Sequence, residues 1–317
     1  MSDLPLVSII TPSFNQAAFL EQTICSVLEQ DYPNLEYWVI DGGSTDGSLE
    51  IIQDYAHRLS GWISEKDHGQ ADAINKGLRR ISGEVVAWLN SDDLYRSGAI
   101  SAAAAALQQN PKAGLVFSDV ESIDETGTPF NLMHYANWGL QNLMTFHIMG
   151  QASVFMRRSV LDQVGYLDLS YHYLLDHQLW LRMGLVSDFH YVPGAIWAAA
   201  RIHPGAKNVA QTTQFGEEAY RLVAWMEQEP AFQPYFIGKH NQVWAGAHRL
   251  NGFYLLDAGL PKKALKAYWQ GLRQYPPAVL PDWRRILYAA FSPLGIKKLR
   301  QAYLNHRKNR YHKKVQS

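Results

Sequence analysis

The chain has 317 residues, of which 47% are hydrophobic, so it is long enough for one large domain with an appendage or for two domains. The formal net charge is zero, yet residues 284–317 hold ten Lys or Arg and no acid, which leaves 19 basic and 29 acidic residues elsewhere. That acidic remainder argues against nucleic acid as a partner. The single Cys25 excludes an internal disulfide and fits a reducing, cytoplasmic location. Neither a signal peptide nor an apolar run of about 18 residues is apparent.

The first ninety residues repeat one pattern, in which an apolar strand is followed by a polar turn and then by a helical periodicity. The predicted strands are residues 6–10, 35–40, 62–64 and 85–89, and the turns that follow them are residues 11–15, 41–47, 65–70 and 90–93. Repeated βα units with right-handed crossovers predict a mainly parallel sheet. Because the carboxyl ends of parallel strands share one edge, we expect Asp41, Asp67 and Asp92 to converge there.

The turn Asn90-Ser91-Asp92-Asp93 follows the strand at residues 85–89 directly. Two adjacent carboxylates repel one another unless a cation or another partner compensates them. Hard oxygen ligands suit Mg²⁺ or Mn²⁺. The alternative is a solvated turn in which Asp92 or Asp93 caps the next helix.

The middle of the chain predicts further strands at residues 114–118, 151–156, 189–192 and 196–200. A helix is predicted over residues 174–184, with Asp176 on the same face as Leu179, Trp180 and Met183. A carboxylate on an apolar face costs free energy unless it has a partner or a function. The alternative is that Asp176 caps the first turn. The next loop contains His203, which either contacts a metal or diphosphate or is structural.

From about residue 212 the patterns are helical only, and residues 246–276 resemble one helix–turn–helix unit of the tetratricopeptide type. We therefore expect a first domain over residues 1–210 and a helical region with a basic tail over residues 211–317. The tail is either solvated or in contact with an anionic membrane. The second alternative rests on basic residues that flank the apolar residues 286–291, namely Arg284, Arg285, Lys297, Lys298 and Arg300.

The strand ends also carry recognisable motifs: VSIITPSFN at residues 7–15, DGGSTDGS at 41–48, EKDHGQ at 65–70 with NKG at 75–77, and LNSDD at 89–93. Together with LDHQLWLR at residues 175–182, they resemble the family 2 inverting glycosyltransferases of the GT-A fold. The resemblance covers roughly residues 5–205. It implies an α/β three-layer fold with a mainly parallel central sheet, followed here by a C-terminal helical appendage.

The resemblance also implies roles for single residues. Thr11 and Asn15 would line the nucleotide pocket, and Asp41 would receive the base, usually uracil. Asp67 would contact the nucleotide, and Lys76 would meet the diphosphate. The metal-binding DxD motif of the family corresponds to Asn90-Ser91-Asp92, with Asp92 as metal ligand and Asp93 in support, while Asp176 corresponds to the general base. Two departures are that Asn90 replaces the first acid of that motif and Leu175 replaces the acid before the base.

The implied function is a metal-dependent inverting transfer of sugar from a nucleotide-diphosphate sugar, expected to be a UDP-sugar. The acceptor would be a hydroxyl of a glycan or lipid-linked glycan, as in polysaccharide or cell-surface glycan synthesis, with Mg²⁺ or Mn²⁺ as cofactor. An alternative, motivated by Asn90 and Leu175, is a catalytically silent nucleotide-sugar-binding module that uses its helical appendage for assembly. Nucleotidyl transfer would need a basic, Gly-rich triphosphate loop, but no Lys or Arg precedes Thr45. The expected location is cytoplasmic, with contact at the inner face of the membrane as the alternative for the tail.

Overall fold

A computed structural model describes residues 4–207 and 211–292, and the chain divides into two compact units. The first unit comprises Met1–Gly139 and Met149–Arg201, and the second comprises Leu140–Ile148 and Ile202–Ser317. The sequence patterns placed a single boundary near residue 210. They contained no sign that a short internal segment, Leu140–Ile148, joins the helical unit.

The first unit is built on one sheet. Its strands are β1 Val7–Ser13, β2 Leu35–Asp41, β3 Gly61–Ser64, β4 Val85–Trp88, β5 Leu94–Tyr95, β6 Ala113–Ile123, β7 Pro129–Met133, β8 Phe155–Arg157 and β9 Asp188–Arg201. The strand order is β3-β2-β1-β4-β8-β6-β9-β5, with β7 paired to β6.

Strands β3, β2, β1 and β4 run parallel, which confirms the predicted βα repeat. Every residue of β1 and of β4 is buried, as expected for strands covered on both faces. Beyond β4 the directions mix, because β8 lies antiparallel between β4 and β6, while β6 and β9 are parallel. The two strands predicted near residues 190 and 198 are one strand, β9, with a break in its register against β6. The predicted α/β class is confirmed.

The helices of the first unit cover the sheet and are Ala17–Leu28, Ser48–Tyr55, Gln70–Leu78, Ala99–Gln109, Arg158–Val164 and Leu175–Gly184. Helix Ala17–Leu28 buries Leu20, Thr23, Ile24 and Val27, which share one face at helical spacing. Its first amide donates a hydrogen bond to Asp46 Oδ2 from the loop after β2, at 2.9 Å. The first helix and the second loop therefore fold against each other.

The second unit is helical, with helices Leu140–Met144, Thr212–Gln228, Gln233–Phe236, His240–Asp257, Pro261–Gln274, Pro276–Val279 and Trp283–Phe291. Its core includes Ala245, Tyr268 and Ala289. The predicted helix–turn–helix corresponds to His240–Asp257 and Pro261–Gln274. The two helices pack closely at Gly252, where a Cβ would lie 3.0 Å from the Tyr268 ring. Over residues 4–207 and 211–292, no helix is both long and apolar enough to cross a membrane.

The basic tail is described only as far as residue 292. The predicted membrane contacts Lys297, Lys298 and Arg300 lie outside the described residues. Arg284 and Arg285 lie inside them, on helix Trp283–Phe291.

Candidate active site

The carboxyl ends of the parallel strands bring the predicted loops to one edge of the sheet. Ser13 at the end of β1 pairs in register with Asp41 at the end of β2, and Asp41 pairs with Ser64 at the end of β3. The Ser13 hydroxyl is buried without a hydrogen-bond partner, although buried polar groups are normally satisfied. A row of three oxygen-bearing side chains thus marks the edge where ligands bind in open α/β sheets.

Asp41 is fully buried and organises its own loop. Its Oδ2 accepts hydrogen bonds from the amides of Gly43 and Ser44, at 3.0 and 2.9 Å, and from the Ser64 hydroxyl at 2.7 Å. The carboxylate therefore shapes the loop that follows β2. Its predicted contact with a nucleotide base stays a prediction.

Asp67 lies against the loop that contains Asp41. A Cβ placed on Gly42 would come within 2.5 Å of Asp67 Oδ2, so only glycine leaves room for this carboxylate. Asp67 Oδ1 accepts a hydrogen bond from the Gly69 amide at 2.8 Å, just before helix Gln70–Leu78. The structure thus brings together two of the predicted acidic loops.

Thr11 and Asn15 hold the framework of this edge. Thr11 is fully buried, and its hydroxyl lies 2.9 Å from the Tyr37 hydroxyl, whose pKa is raised by burial. Asn15 adopts a left-handed backbone conformation with φ of 52°, and its Oδ1 accepts a hydrogen bond from the Thr45 amide at 2.9 Å. Both residues therefore fix loops, and their predicted contacts with a nucleotide stay predictions.

Lys76 connects helix Gln70–Leu78 to the loop after β3. Its Nζ lies 2.9 Å from Glu65 Oε1, 3.8 Å from Asp72 Oδ2 and 3.1 Å from the carbonyl oxygen of Lys66. A diphosphate at this position would compete with two carboxylates for the ammonium group. The predicted diphosphate contact therefore requires Lys76 to exchange partners on binding.

The Asn90–Asp93 loop is joined to the same helix. Gln70 donates a hydrogen bond to Asn90 Oδ1 at 2.7 Å, and Asn90 donates one to Asp93 Oδ2 at 3.2 Å. Asp93 is 6% exposed, and burial, reinforced by the neighbouring Asp92 charge, raises its pKa well above the usual carboxyl range. Asp93 is thus a cross-link within the fold, whereas Asp92 is only half-buried and is the more accessible of the two carboxylates.

Arg201 at the end of β9 anchors this acidic loop, and the sequence patterns did not single it out. Its amide donates to Asp93 Oδ1 and its Nε donates to the Asp92 carbonyl, both at 2.9 Å. Its guanidinium also donates to the carbonyls of Asp124 and Glu125 and to Gln22 Oε1. The side chain is 2% exposed, so it acts as a buried tie between four segments. No local pattern marks such a residue, because its partners are distant in sequence.

Asp176 lies in the first turn of helix Leu175–Gly184, and its Oδ1 accepts a hydrogen bond from the His177 amide at 2.7 Å. The segment before this helix is anchored near the Asp67 loop. The Asn75 side chain accepts a hydrogen bond from the Leu167 amide at 3.0 Å and donates one to the Leu167 carbonyl at 2.8 Å. His172 Nδ1 comes within 4.0 Å of the position of a Cβ on Gly69. The role of Asp176 as general base stays a prediction.

The predicted metal ligands do not form a cluster of their own. Among the residues that the structure describes, no three His, Cys, Asp or Glu side chains come together in a way that could hold a metal ion. His203 is 9% exposed and belongs to the second unit. Its predicted metal contact therefore stays a prediction. Asp92, the more accessible carboxylate of the Asn90–Asp93 loop, is the residue of that loop that could contribute to a cation site.

The strand order and the acidic loops define an α/β domain of the GT-A class, and solved structures share this fold. One is the Staphylococcus aureus protein TarS, residues 1–349, in complex with UDP-GlcNAc, with a TM-score of 0.59 and 16% identity over 88% of this chain and 91% of that chain. Another is the Pyrobaculum calidifontis mannosyltransferase PcManGT in complex with GDP-Man and Mn²⁺, with a TM-score of 0.59 and 21% identity over 93% and 89% of the two chains.

Sequence comparison gives the family. The profile of Glycosyl transferase family 2 matches residues 8–165, and a PGL/p-HBAD biosynthesis glycosyltransferase of Mycobacterium bovis is 30% identical over 54% of this chain and 67% of its own length. The chain belongs to glycosyltransferase family 2. TuaG of Bacillus subtilis, whose name places it provisionally in teichuronic acid biosynthesis, is 32% identical over 50% of this chain and 65% of its own length. The chain thus spans just under two thirds of that relative.

Proposed function

We propose that the chain is a glycosyltransferase that moves a sugar from a nucleotide-diphosphate sugar, UDP-sugars first, to a hydroxyl of a glycan or lipid-linked glycan. The observation that carries the proposal is the connected edge of the parallel strands. Asp41 and Asp67 are brought together across Gly42, and Asp67 is linked to Asn90 through the start of helix Gln70–Leu78. A nucleotide laid across this edge meets all three loops.

The chemistry requires one displacement at the anomeric carbon. The acceptor hydroxyl oxygen forms a bond to that carbon while the bond to the diphosphate oxygen breaks, and a single displacement inverts the configuration. Asp176 is the proposed base that takes the hydroxyl proton as the new bond forms. The loops would hold the donor so that the attack is in line.

A divalent cation, Mg²⁺ or Mn²⁺, would neutralise charge on the leaving diphosphate. Asp92 is the proposed protein ligand because it is the more accessible carboxylate of the loop. Asn90 supplies a neutral amide oxygen where the family motif has an acid. We therefore expect weaker metal affinity without donor than with it.

The relatives and structural neighbours support both the proposed donor and the proposed acceptor. The TarS structure is a complex with UDP-GlcNAc and the PcManGT structure is a complex with GDP-Man and Mn²⁺, so neighbours of this fold bind nucleotide sugars. Relatives named for teichuronic acid and PGL biosynthesis support a glycan or glycolipid product.

The proposal is tested by calorimetric titration of the full chain with UDP-, GDP- and dTDP-sugars, with and without Mn²⁺, followed by release of nucleoside diphosphate with water as acceptor. We expect one donor to bind more tightly with Mn²⁺ and Asp92→Ala to abolish that gain. Asp176→Asn should retain donor binding and lower the release rate at least 100-fold, because only the base is removed. Asp54→Asn is the matched control, since Asp54 is exposed on helix Ser48–Tyr55.

Failure of every donor to bind would overturn the proposal. Donor binding with no release, unchanged by Asp176→Asn in the presence of a glycan acceptor panel, would instead favour the silent binding module. Asn90 and Leu175, which depart from the family motifs, are the observations that keep this second candidate.

The proposal extends to the membrane surface. Helix Trp283–Phe291 exposes Trp283, Leu287 and Phe291, which are 52%, 47% and 51% exposed and recur every four residues on one face. The opposite face buries Ala289 in the core of the second unit. An exposed aromatic and aliphatic stripe, in a part of the sequence where residues 284–317 hold ten Lys or Arg and no acid, is typical of a helix that lies on an anionic bilayer.

A further inference from the structure

Asp119 is a buried carboxylate of β6 that none of the roles above uses. It is 2% exposed and accepts hydrogen bonds from the Tyr135 amide at 3.0 Å and from the Tyr191 hydroxyl at 2.7 Å. Its other oxygen lies 2.7 Å from His134 Nδ1. Buried carboxylates are rare unless they are paired, and the partners of Asp119 come from one segment of the chain and from Tyr191.

The segment that surrounds Asp119 is residues 134–138, which we call the ledge. Asp119 holds His134 and Tyr135, while Asn137 Oδ1 accepts a hydrogen bond from the Tyr191 amide at 3.2 Å. The Tyr135 ring meets the Trp138 ring edge to face, with centroids 5.5 Å apart. The His134 side chain is 54% exposed although its Nδ1 is fixed. The ledge therefore presents an oriented imidazole beside aromatic rings.

The ledge lies at the same edge of the sheet as the acidic loops. Val86, Met156 and Leu115 form one row across β4, β8 and β6, and β4 and β6 run in the same direction. Asp119 follows Leu115 by four residues, as Asn90 follows Val86. Both positions therefore lie toward the same edge of the sheet.

A second path joins the ledge to the end of β4. Gln151 donates a hydrogen bond to the Trp88 carbonyl at 2.7 Å, and the Tyr135 hydroxyl lies so close to Gly150 that a Cβ there would be 2.5 Å away. Gly150 thus permits the close approach of the ledge to the segment that borders the Asn90 loop.

We propose that the ledge, residues 134–138 with Asp119 and Tyr191, is a subsite for a sugar ring of the acceptor. One face of a sugar ring is lined with C–H groups and packs on aromatic rings, while its hydroxyls need fixed polar partners. Trp138 supplies the first kind of surface and His134 supplies the second. Asp119 acts as a positioning residue, since it reaches the sugar only through His134. The proposal rests on the proposed function, because an acceptor sugar presupposes a glycosyl transfer.

The test uses methyl glycosides as probes, because the natural acceptor is unidentified. Saturation-transfer NMR would be recorded on the full chain with methyl β-glucoside, β-galactoside, β-N-acetylglucosaminide and α-mannoside at millimolar concentration. We expect a signal from at least one glycoside, and we expect His134→Ala and Trp138→Ala to reduce it at least threefold. His57→Gln is the matched control, since His57 is exposed and lies on the short helix Ala56–Arg58. Thermal unfolding checks that each variant is folded.

Asp119→Asn tests the positioning role on the same samples. It should weaken the glycoside signal less than His134→Ala does, and it should shift the His134 ring resonances in the NMR spectrum. Unchanged ring resonances would contradict the positioning role.

UDP and GDP titrations on the same samples separate this proposal from the proposed function. Unchanged nucleotide affinity with a lost glycoside signal is the expected result. Equal glycoside signals in all folded variants, or none in the unmodified chain, would overturn the subsite while nucleotide binding stands. A glycoside signal that depends on the ledge, without any nucleotide binding, would support a sugar-binding site and contradict the proposed glycosyltransferase function. If Trp138→Ala does not fold, the exposed His134→Ala still decides the outcome.

Discussion

The acidic residues of the site are also the hydrogen-bond acceptors that build it. Asp41 collects the amides of its own loop, and Asp93 is bonded to both Arg201 and Asn90. A carboxylate that a sequence motif predicts as a ligand can therefore also stabilise the fold by accepting hydrogen bonds. Within this group, half-buried Asp92 is the residue with the clearest access to a ligand.

Arg201→Met tests the buried tie. The substitution keeps much of the apolar stem but removes the guanidinium bonds to Asp92, Asp124, Glu125 and Gln22. We expect the free energy of unfolding to fall by at least about 1–3 kcal/mol, the cost of leaving a buried acceptor without its donor. Urea denaturation monitored by circular dichroism measures this.

Arg58→Met is the control for this change. Arg58 is exposed and makes one long hydrogen bond of 3.4 Å to the Leu28 carbonyl. Its loss should change stability by no more than about 0.5 kcal/mol. Equal stability losses in the two variants would show that Arg201 has no special role.

At the scale of elements, the loops after parallel strands meet because the strands end at one edge, while helices supply the links between them. Helix Gln70–Leu78 is the clearest case, since it starts at the Asp67 loop and carries both Gln70 and Lys76. The helical unit shows a different principle. Helix Trp283–Phe291 has one face in the core and one exposed apolar stripe. Exposed apolar patches of this kind mark interaction surfaces, and the partner proposed for this one is an anionic bilayer.

The stripe is tested by cosedimentation with vesicles of 30% phosphatidylglycerol in phosphatidylcholine. We expect the full chain to bind and Leu287→Gln with Phe291→Gln to reduce binding at least fivefold, because less apolar area enters the bilayer. Ile237→Gln is the control, since Ile237 is 81% exposed elsewhere in the second unit. Binding should weaken with added salt. Equal binding to pure phosphatidylcholine, or none at all, would contradict the membrane contact.

At the scale of the whole molecule, the chain folds as two units that each have a core. Titratable groups make the stability of the second unit depend on pH. Burial lowers the pKa of His248, whose Nδ1 lies 2.8 Å from the Tyr220 hydroxyl. Burial and the nearby Arg249 charge lower the pKa of His147. The folded unit therefore prefers both imidazoles uncharged.

This preference predicts loss of stability in acid. A lowered pKa means that the unfolded chain binds the proton more readily, so the stability is complete above an unfolded pKa near 6.5 and falls as the pH drops through it. We expect the melting temperature to decrease between pH 7.5 and pH 5.5. The decrease should be smaller in His248→Gln, which has no proton to gain. Scanning calorimetry at both pH values measures this.

His57→Gln is the matched control, since it makes the same substitution at an exposed histidine of the first unit. The difference between the two variants matters more than the absolute melting temperature, since carboxylates also titrate in acid. An identical pH dependence in His248→Gln and the unmodified chain would refute the prediction.

The sequence by itself determined the first half of the fold and the loops of the site. Strands buried on both faces are continuous apolar runs, and each is followed here by a polar turn and a helical periodicity, so the parallel repeat and its shared edge could be predicted. The predicted helix at residues 174–184 was also confirmed, as Leu175–Gly184. These features depend on neighbours along the chain, which a pattern can record.

Only the tertiary structure decided which distant segments meet. The contact of Arg201 with Asp93 spans 108 residues, and it exists because β5 pairs with β9 beside the end of β4. The Asp119 ledge likewise depends on the placement of β6 next to β9 and on a break in their register. The antiparallel direction of β8, in the region where the sequence predicted a strand at residues 151–156, and the transfer of Leu140–Ile148 to the second unit left no local signal. Such contacts are set by the packing of whole elements, because buried groups find their partners wherever the sheet order brings them.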